Sequence, residues 1–456
     1  MKIVVLNGSP KGDISVTMQY VAYLNKKFPE HSFETVNVAH EIKKIEKDSV
    51  YFAAILDRIR SADLVLWAFP LYYMLVCAQY KRFVELVFER NSQEAFSGKY
   101  AVALSTSIHY FDQTAHAYIR AVSDDLGMQY LGGYSAAMRD LLEEKERIRL
   151  DTFASLLFAA VKEGIPVQRA NPPMIRPALS YIPGQEQKRT GTGTQTVVIL
   201  TDDDGSSPNL TAMMERIRSA FDGPVETINL RELDIRGGCL GCCLCGYDNT
   251  CVYTDGYVDF YTKRLAPADI IIMAGSIHDR YLSSVWKQFF DRSFFKGHVP
   301  GLPKKQIGFV IAGPLLQVPH LREILSAWVD GAGSQAFFVT DEAGSSAELD
   351  RILDATAARL VQGAKAGYVP PPTFYAVGGQ KIFRDGISGP MKLVFQADYQ
   401  YYKSHGIFDS AQVDLKTRLG NAVLIPLTRI PGFRKKVFAG IKDHMVAPFK
   451  AVLGDS

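Results

Sequence analysis

Lys2-Ile3-Val4-Val5-Leu6-Asn7-Gly8-Ser9-Pro10-Lys11-Gly12 follows directly on Met1. Its first six residues are a β-branched apolar run, and the next five are a turn of glycine, proline and short polar side chains. A helix-like stretch, Val16 to Lys27 (VTMQYVAYLNKK), comes next. Glu34 to Val38 reads as a second strand. A helix over 50–61, the apolar run Leu64 to Phe69 (LVLWAF), a helix over Lys81 to Arg90 and a strand over Tyr100 to Leu104 continue the series. Strands that alternate with helices indicate βαβ units and a parallel sheet covered on both faces.

The pattern recurs after residue 195. Thr196 to Leu200 (TVVIL), Val225 to Leu230, Ile270 to Ala274 (IIIMA) and Gln306 to Ala312 (QIGFVIA) read as strands, with a polar turn and a helix over Leu210 to Ala220 after the first. The expected fold is therefore two doubly wound α/β domains in tandem. The first spans 1–168 and the second 196–366. Residues 169–195 join them, rich in Pro, Gly, Thr and Gln, which is linker composition. The pattern stops near Pro370-Pro371-Pro372. Residues 367–456 read as a packed helical C-terminal extension with aromatics and a basic finish.

Composition narrows the function classes. The chain has 456 residues, 47% hydrophobic and 22% charged, which excludes a disordered chain and fits two or three domains. A net charge of +3 is too small to argue for nucleic acid. No apolar run reaches the ~18 residues of a spanning helix, and the N-terminus reads straight into a strand, so a cytoplasmic protein is expected.

Parallel sheets bind ligands at the carboxyl ends of their strands. The turn Gly8 to Thr17 stands there, and Ser9, Lys11, Ser15 and Thr17 can face a phosphate at the start of the next helix. Neither GxGxxG nor GxxxxGK[ST] is present. An ordinary βα turn with a good N-cap is the other reading of this segment. Asn7-Gly8-Ser9-Pro10 resembles the opening of the NAD(P)H-dependent FMN reductases and related flavodoxin-like flavoproteins. Phe69-Pro70-Leu71-Tyr72-Tyr73 with Tyr80-Lys81-Arg82-Phe83 is similar to that family's second loop and helix, with Glu85 where the family usually has Asp. The resemblance implies that Pro70, Leu71, Tyr72 and Tyr73 lie along an FMN ring and that the following helix packs at a dimer interface. The third loop, Ser105 to Tyr110, brings Thr106 and Ser107 to the flavin edge. His109 and Tyr110 are its candidate proton donors, although a single histidine is more often structural.

The second half repeats these loops with changes. Ser206-Ser207-Pro208-Asn209 is similar to the family's phosphate loop, giving Ser207 and Asn209 as candidates. Asp202, Asp203 and Asp204 stand before it, and their charge disfavours a neighbouring phosphate. Gly275 to Tyr281 and Trp286 to Arg292 match the second loop and helix. Ser276 and His278 replace the usual Pro and Tyr, and Gly313 sits at the flavin edge.

Five of the six cysteines lie between Cys239 and Cys251. Such a cluster in a large chain argues for a metal or redox centre rather than a disulfide framework. Cys239, Cys242, Cys245 and Cys251 have the compact spacing that suits a [4Fe–4S] cluster, whereas zinc more often uses two separated C-x2-C knuckles. Redox-active or buried cysteines are further readings, and Cys243 could replace Cys242. A four-cysteine motif after the second strand of such a domain resembles the iron–sulfur flavoproteins, which carry FMN and a [4Fe–4S] cluster and assemble as dimers or higher oligomers. The two domains of this chain would then form internally the pair that relatives form as a homodimer. The function implied is an FMN oxidoreductase with a cluster, reducing a small organic acceptor with electrons from NAD(P)H or a one-electron donor. A flavin and iron–sulfur electron carrier acting on redox proteins, and a flavodoxin-like binding protein, are the alternatives.

Overall fold

A computed structural model describes residues 1–297, 299, 301–408 and 415–454. The chain divides into two compact units. The first comprises Met1–Pro173, Gly238–Cys243 and the described part of Asp414–Ser456. The second comprises Met174–Gly237 and the described part of Leu244–Val413.

The first unit is built on five parallel strands: β1 (Lys2–Asn7), β2 (Ser32–Val36), β3 (Leu64–Pro70), β4 (Tyr100–Ser107) and β5 (Gln129–Ala137). Their order is β2-β1-β3-β4-β5, the flavodoxin-like order, with β1 beside β3 at the switch point. Ile3 to Leu6 and Leu64 to Phe69 are buried, which is why both stretches are apolar without alternation. β4 runs three residues past the expected end, so Ser105, Thr106 and Ser107 belong to the strand. The edge strand β5 has no counterpart in the expected series. Two adjacent glycines, Gly132 and Gly133, break its apolar pattern, and its register shifts opposite Ala101 and Val102. One face of the sheet is covered by the helix Val16–Lys27, whose Val16, Tyr20 and Leu24 share a core with Leu64 and Leu66. Phe449 and Leu453 join the same core, so the end of the chain packs on this unit.

The second unit has its own parallel sheet of β7 (Val197–Thr201), β9 (Val225–Asn229), β10 (Ile270–His278), β12 (Gln306–Ala312) and β13 (Gln335–Thr340). Its order, β13-β12-β10-β7-β9, repeats the wiring of the first sheet. β11 (Tyr281–Leu282) folds back antiparallel on β10, and β6 (Thr190–Gly191) pairs with β8 (Phe221–Asp222). From Met174 onward the stretch read as linker belongs to this unit. The Tyr181 hydroxyl donates to Asp350 at 2.5 Å, and the Arg216 guanidinium holds the Gly184 and Glu186 carbonyls and Asp354. The helices Phe374–Ser388 and Gln396–Ser404 also belong here, so residues 367–456 are shared between the two units. No helix among the described residues is long and apolar enough to cross a membrane.

Candidate functional site

The carboxyl ends of β1, β3 and β4 lie side by side, with Asn7 opposite Ala68 and Pro70 opposite Thr106. The three loops that leave them therefore share one edge of the first unit. Asn7 is fully buried and organises the first loop. Its Oδ1 accepts from the Ser9 backbone N–H at 3.0 Å, and its amide donates to Asn37 Oδ1 at 2.7 Å. The Ser9 hydroxyl accepts from the Lys11 N–H at 3.2 Å, and Gly12 N–H closes the turn on the Ser9 carbonyl. Asn37 also donates to Asp13 at 3.2 Å. Ser15 caps the helix Val16–Lys27 by accepting from the Met18 N–H at 3.3 Å, and the first turn of that helix has no acidic residue. Such an N-terminus favours an anion.

Gly8 is required by space. A Cβ there would lie 2.9 Å from Phe69 Cβ and from the Tyr80 ring. Thr17 and Thr106 join the first and third loops by a buried hydroxyl–hydroxyl bond of 2.6 Å.

The second loop is a two-residue turn closed by both bonds between Tyr72 and Leu75, at 2.8 and 3.1 Å. Its centre, Tyr73 (φ 42°) and Met74 (φ 64°), has positive φ at both positions, where Asn-Gly or Asp-Gly is usual. Positive φ on a non-glycine costs of order 1–3 kcal/mol, and surrounding contacts must hold it. Thr114 supplies one of them, its hydroxyl donating to the Met74 carbonyl at 2.6 Å.

In the third loop the Ser107 hydroxyl accepts from the His109 N–H at 2.8 Å. His109 Nδ1 lies 2.9 Å from Asp112 Oδ2, which also accepts from the Ser135 hydroxyl at 2.6 Å. Burial pushes the Asp112 carboxyl up, but the bonds from Ser135 and His109 outweigh it and hold it below the ordinary carboxylate value. His116 Nε2 meets the Ser105 hydroxyl at 2.7 Å, and burial pushes its pKa down.

Ser9, Lys11, Ser15, Thr17, Pro70, Leu71, Tyr72, Tyr73, Thr106, Ser107, His109 and Tyr110 thus all stand on these three loops and strand ends. Asp112, His116 and Ser135 complete the third loop and were not among the expected residues. The spacing Asp112-x3-His116 puts both on one face of the helix Asp112–Asp125 and could have found these two. Ser135 comes from the unanticipated β5.

FMN fits this donor set. Its phosphate would meet Ser9, Lys11, Ser15, Thr17 and an acid-free helix start, and its ring would meet the Pro70–Tyr73 backbone.

The corresponding loop of the second unit is committed to its own carboxylates. Asp202 is buried and accepts from the Ser283 hydroxyl and from Trp286 Nε1. Asp203 accepts from Gly205 N–H at 3.0 Å and the Thr211 hydroxyl at 2.6 Å, and Asp204 from Ser206 N–H at 3.0 Å. The helix Pro208–Ser219 starts at Ser207 without a side-chain cap. Asn209 donates to Asp341 and to the Leu179 carbonyl, and Gly313 N–H also donates to Asp341. Ser276 and His278 end β10, and the Ser276 hydroxyl is buried without a hydrogen-bond partner among the described residues.

The cysteine run is divided. Cys239, Cys242 and Cys243 fall in the first unit, and Cys245 and Cys251 in the second. Gln79 donates to the Cys239 carbonyl at 3.2 Å, and the Gly241 backbone (φ 62°) runs against the Tyr72 hydroxyl, where a Cβ has no room. Among the described residues no three His, Cys, Asp or Glu side chains gather as a metal site requires.

Residues 1–140 match the model of the NADPH-dependent FMN reductase family. No curated protein matches the chain. Solved structures similar to part of this chain include FerB, a flavoenzyme NAD(P)H:(acceptor) oxidoreductase from Paracoccus denitrificans. It is 18% identical over 36% of this chain and 97% of its own, with a TM-score of 0.31. An FMN-dependent NADH-azoreductase from Bacillus anthracis in complex with FMN is 14% identical over 34% of this chain and 99% of its own, with a TM-score of 0.27. An NADPH-quinone reductase from P. pentosaceus is 15% identical over 37% of this chain and 99% of its own, also at 0.27.

Proposed function

Because residues 1–140 carry a domain of the NADPH-dependent FMN reductase family, we propose that this chain is an FMN-dependent NAD(P)H oxidoreductase with its flavin on the first unit. Its acceptor would be a small organic molecule. The observation that carries the reading is the acid-free start of the helix Val16–Lys27, capped by Ser15, directly after the turn that holds Ser9 and Lys11. FMN, when bound, supplies hydride chemistry. The chain's own residues hold and orient. Ser9, Ser15, Thr17 and the loop N–H groups would take the phosphate, with Lys11 as their cation. Pro70, Leu71, Tyr72 and Tyr73 would line one ring face, and Thr106 and Ser107 its edge. Asp112 holds His109 at Nδ1, so Nε2 is the nitrogen through which His109 would give or take a proton. Tyr110 would be the neighbouring donor.

The flavin is placed on the first set of loops rather than on Ser207, Asn209, Ser276, His278 and Gly313. Asp203 and Asp204 already accept the N–H groups that a phosphate would need there. The [4Fe–4S] proposal, with Cys239, Cys242, Cys245 and Cys251 as ligands, is supported by their spacing alone, and no step is routed through it. It favours a second reading, an electron carrier between redox proteins, which NAD(P)H turnover with a quinone would separate from the enzyme. Two measurements test the assignment. The double variant S9A/Y72A should lose FMN while S207A keeps it. The reverse result would move the flavin to the second unit. Iron, zinc and flavin counts with an anaerobic visible spectrum decide the cluster. Zinc without an iron–sulfur band would end that proposal.

A further inference from the structure

The described end of the chain begins with a helix that has no buried residue, Leu415–Leu427 (LKTRLGNAVLIPL). Four of its apolar side chains fall along one line, with Leu424 and Ile425 on other sides. Leu415, Leu419, Val423 and Leu427 recur every four residues, so each step drifts only about 40° around the axis and the four make one stripe. Leu415 is 70% exposed, Leu419 62% and Val423 65%, and Ile430 just beyond the helix is 56% exposed. A contiguous exposed apolar stripe marks an interaction surface.

Charge identifies what it fits. Lys416, Arg418, Arg429, Arg434, Lys435 and Lys436 lie between Leu415 and Val437, and that stretch contains no Asp or Glu. An exposed apolar stripe in a segment whose only charges are cations matches an anionic lipid surface. Thirteen residues of helix span about 20 Å, too short to cross a bilayer core of about 30 Å. The helix therefore suits the interface plane, where the long Lys and Arg stems can carry their charges to the headgroups. It is also fastened to a rigid body. Downstream, Phe449 and Leu453 lie in the core of the first unit, and the Phe449 ring stands 6.4 Å from that of Tyr20.

We propose that the segment 415–437 is an in-plane membrane anchor that docks the first unit on an anionic phospholipid surface. An oxidoreductase held there would work beside acceptors dissolved in the bilayer, but the anchor does not depend on the flavin assignment. The test is flotation of the full chain with vesicles of equal parts phosphatidylcholine and phosphatidylglycerol, and with phosphatidylcholine alone. The wild type should float with the anionic vesicles, stay down with the neutral ones and be released by high salt. L419D/V423D and K435E/K436E should each weaken binding by about tenfold or more. These side chains are exposed, and circular dichroism and the thermal midpoint, neither of which needs flavin, confirm folding of each variant. Absence of wild-type flotation, or equal flotation of L419D/V423D, overturns the anchor. So does a concentration-dependent dimer that L419D/V423D abolishes, because the stripe would then belong to a second copy of the chain.

Discussion

The Asp202 carboxylate accepts a hydrogen bond from the Trp286 indole at 2.8 Å inside the second unit. Gly8 and Tyr80 hold the corresponding places in the first unit, each just past the first strand and in the helix after the third. There the glycine lets the loop close down on the ring. One unit thus closes its loop on the neutral groups of Asn7 and Ser9, and the other closes it on its own carboxylates.

Burial pushes the Asp202 carboxyl up to about 6, against the Ser283 and Trp286 bonds and the Arg231 charge. The folded state then holds a proton between roughly pH 4 and 6 that the unfolded state releases, so stability falls as pH rises through that window. The full cost above it is at most about 3 kcal/mol. D202N should remove this pH dependence. Its thermal midpoint, compared with wild type, should be more favourable at pH 8 than at pH 4. Parallel midpoint curves for the two proteins would show that Asp202 does not titrate in this range.

Lys287 and Asp291 form an ion pair one helical turn apart with both side chains fully buried. Removing one partner leaves a buried charge, which costs about 3–5 kcal/mol. D291N should lower the denaturant midpoint of the second unit sharply, and K287M/D291L should recover most of the loss. If D291N unfolds at the wild-type midpoint, water or another group satisfies the lysine.

Gly8→Ala would press a Cβ to 2.9 Å from Phe69 and Tyr80. Overpacking of this kind costs about 1–3 kcal/mol, and relief by shifting the loop would misplace Ser9. The expected result is a lower FMN affinity with the sheet intact, read from flavin fluorescence on titration. An unchanged affinity would separate the close loop–ring contact from binding.

The plainest strands in the sequence are those buried on both faces, although the edge strands β2 and β9 were legible as well. β1, β3, β10 and β12 are apolar throughout because neighbours cover them above and below. β5 and β13 are edge strands with partly exposed residues, so their pattern fades, and β5 also carries Gly132 and Gly133. The three loops of the first unit were legible for the same reason, since each leaves a strand of unmistakable pattern. Asp112 and Ser135 were not. Their meeting depends on β5 lying beside β4, and no local signal in Gln129–Ala137 announces it. The assignment of Gly238–Cys243 to the first unit was equally hidden, because a segment's neighbours in space leave no mark on its composition.

Asp112 links His109 to Ser135, and its lowered pKa makes the link measurable. A carboxylate whose folded pKa lies below its unfolded value adds stability above the ordinary carboxylate range, and loses it as pH falls through the folded value. Hydrogen bonds to a charged group are worth about 1.5–3 kcal/mol when fully buried, and Asp112 is partly exposed, so about 1–2 kcal/mol is expected. D112N should therefore destabilise the first unit at pH 7 and match wild type in strong acid. If His109 exchanges a proton with the substrate, D112N should also slow NAD(P)H turnover, because the carboxylate no longer orients the imidazole. H109Q should slow turnover as well while leaving FMN affinity unchanged. A D112N enzyme with wild-type turnover and a lowered midpoint would make the Asp112–His109 pair structural, leaving Tyr110 as the remaining proton donor on the loop.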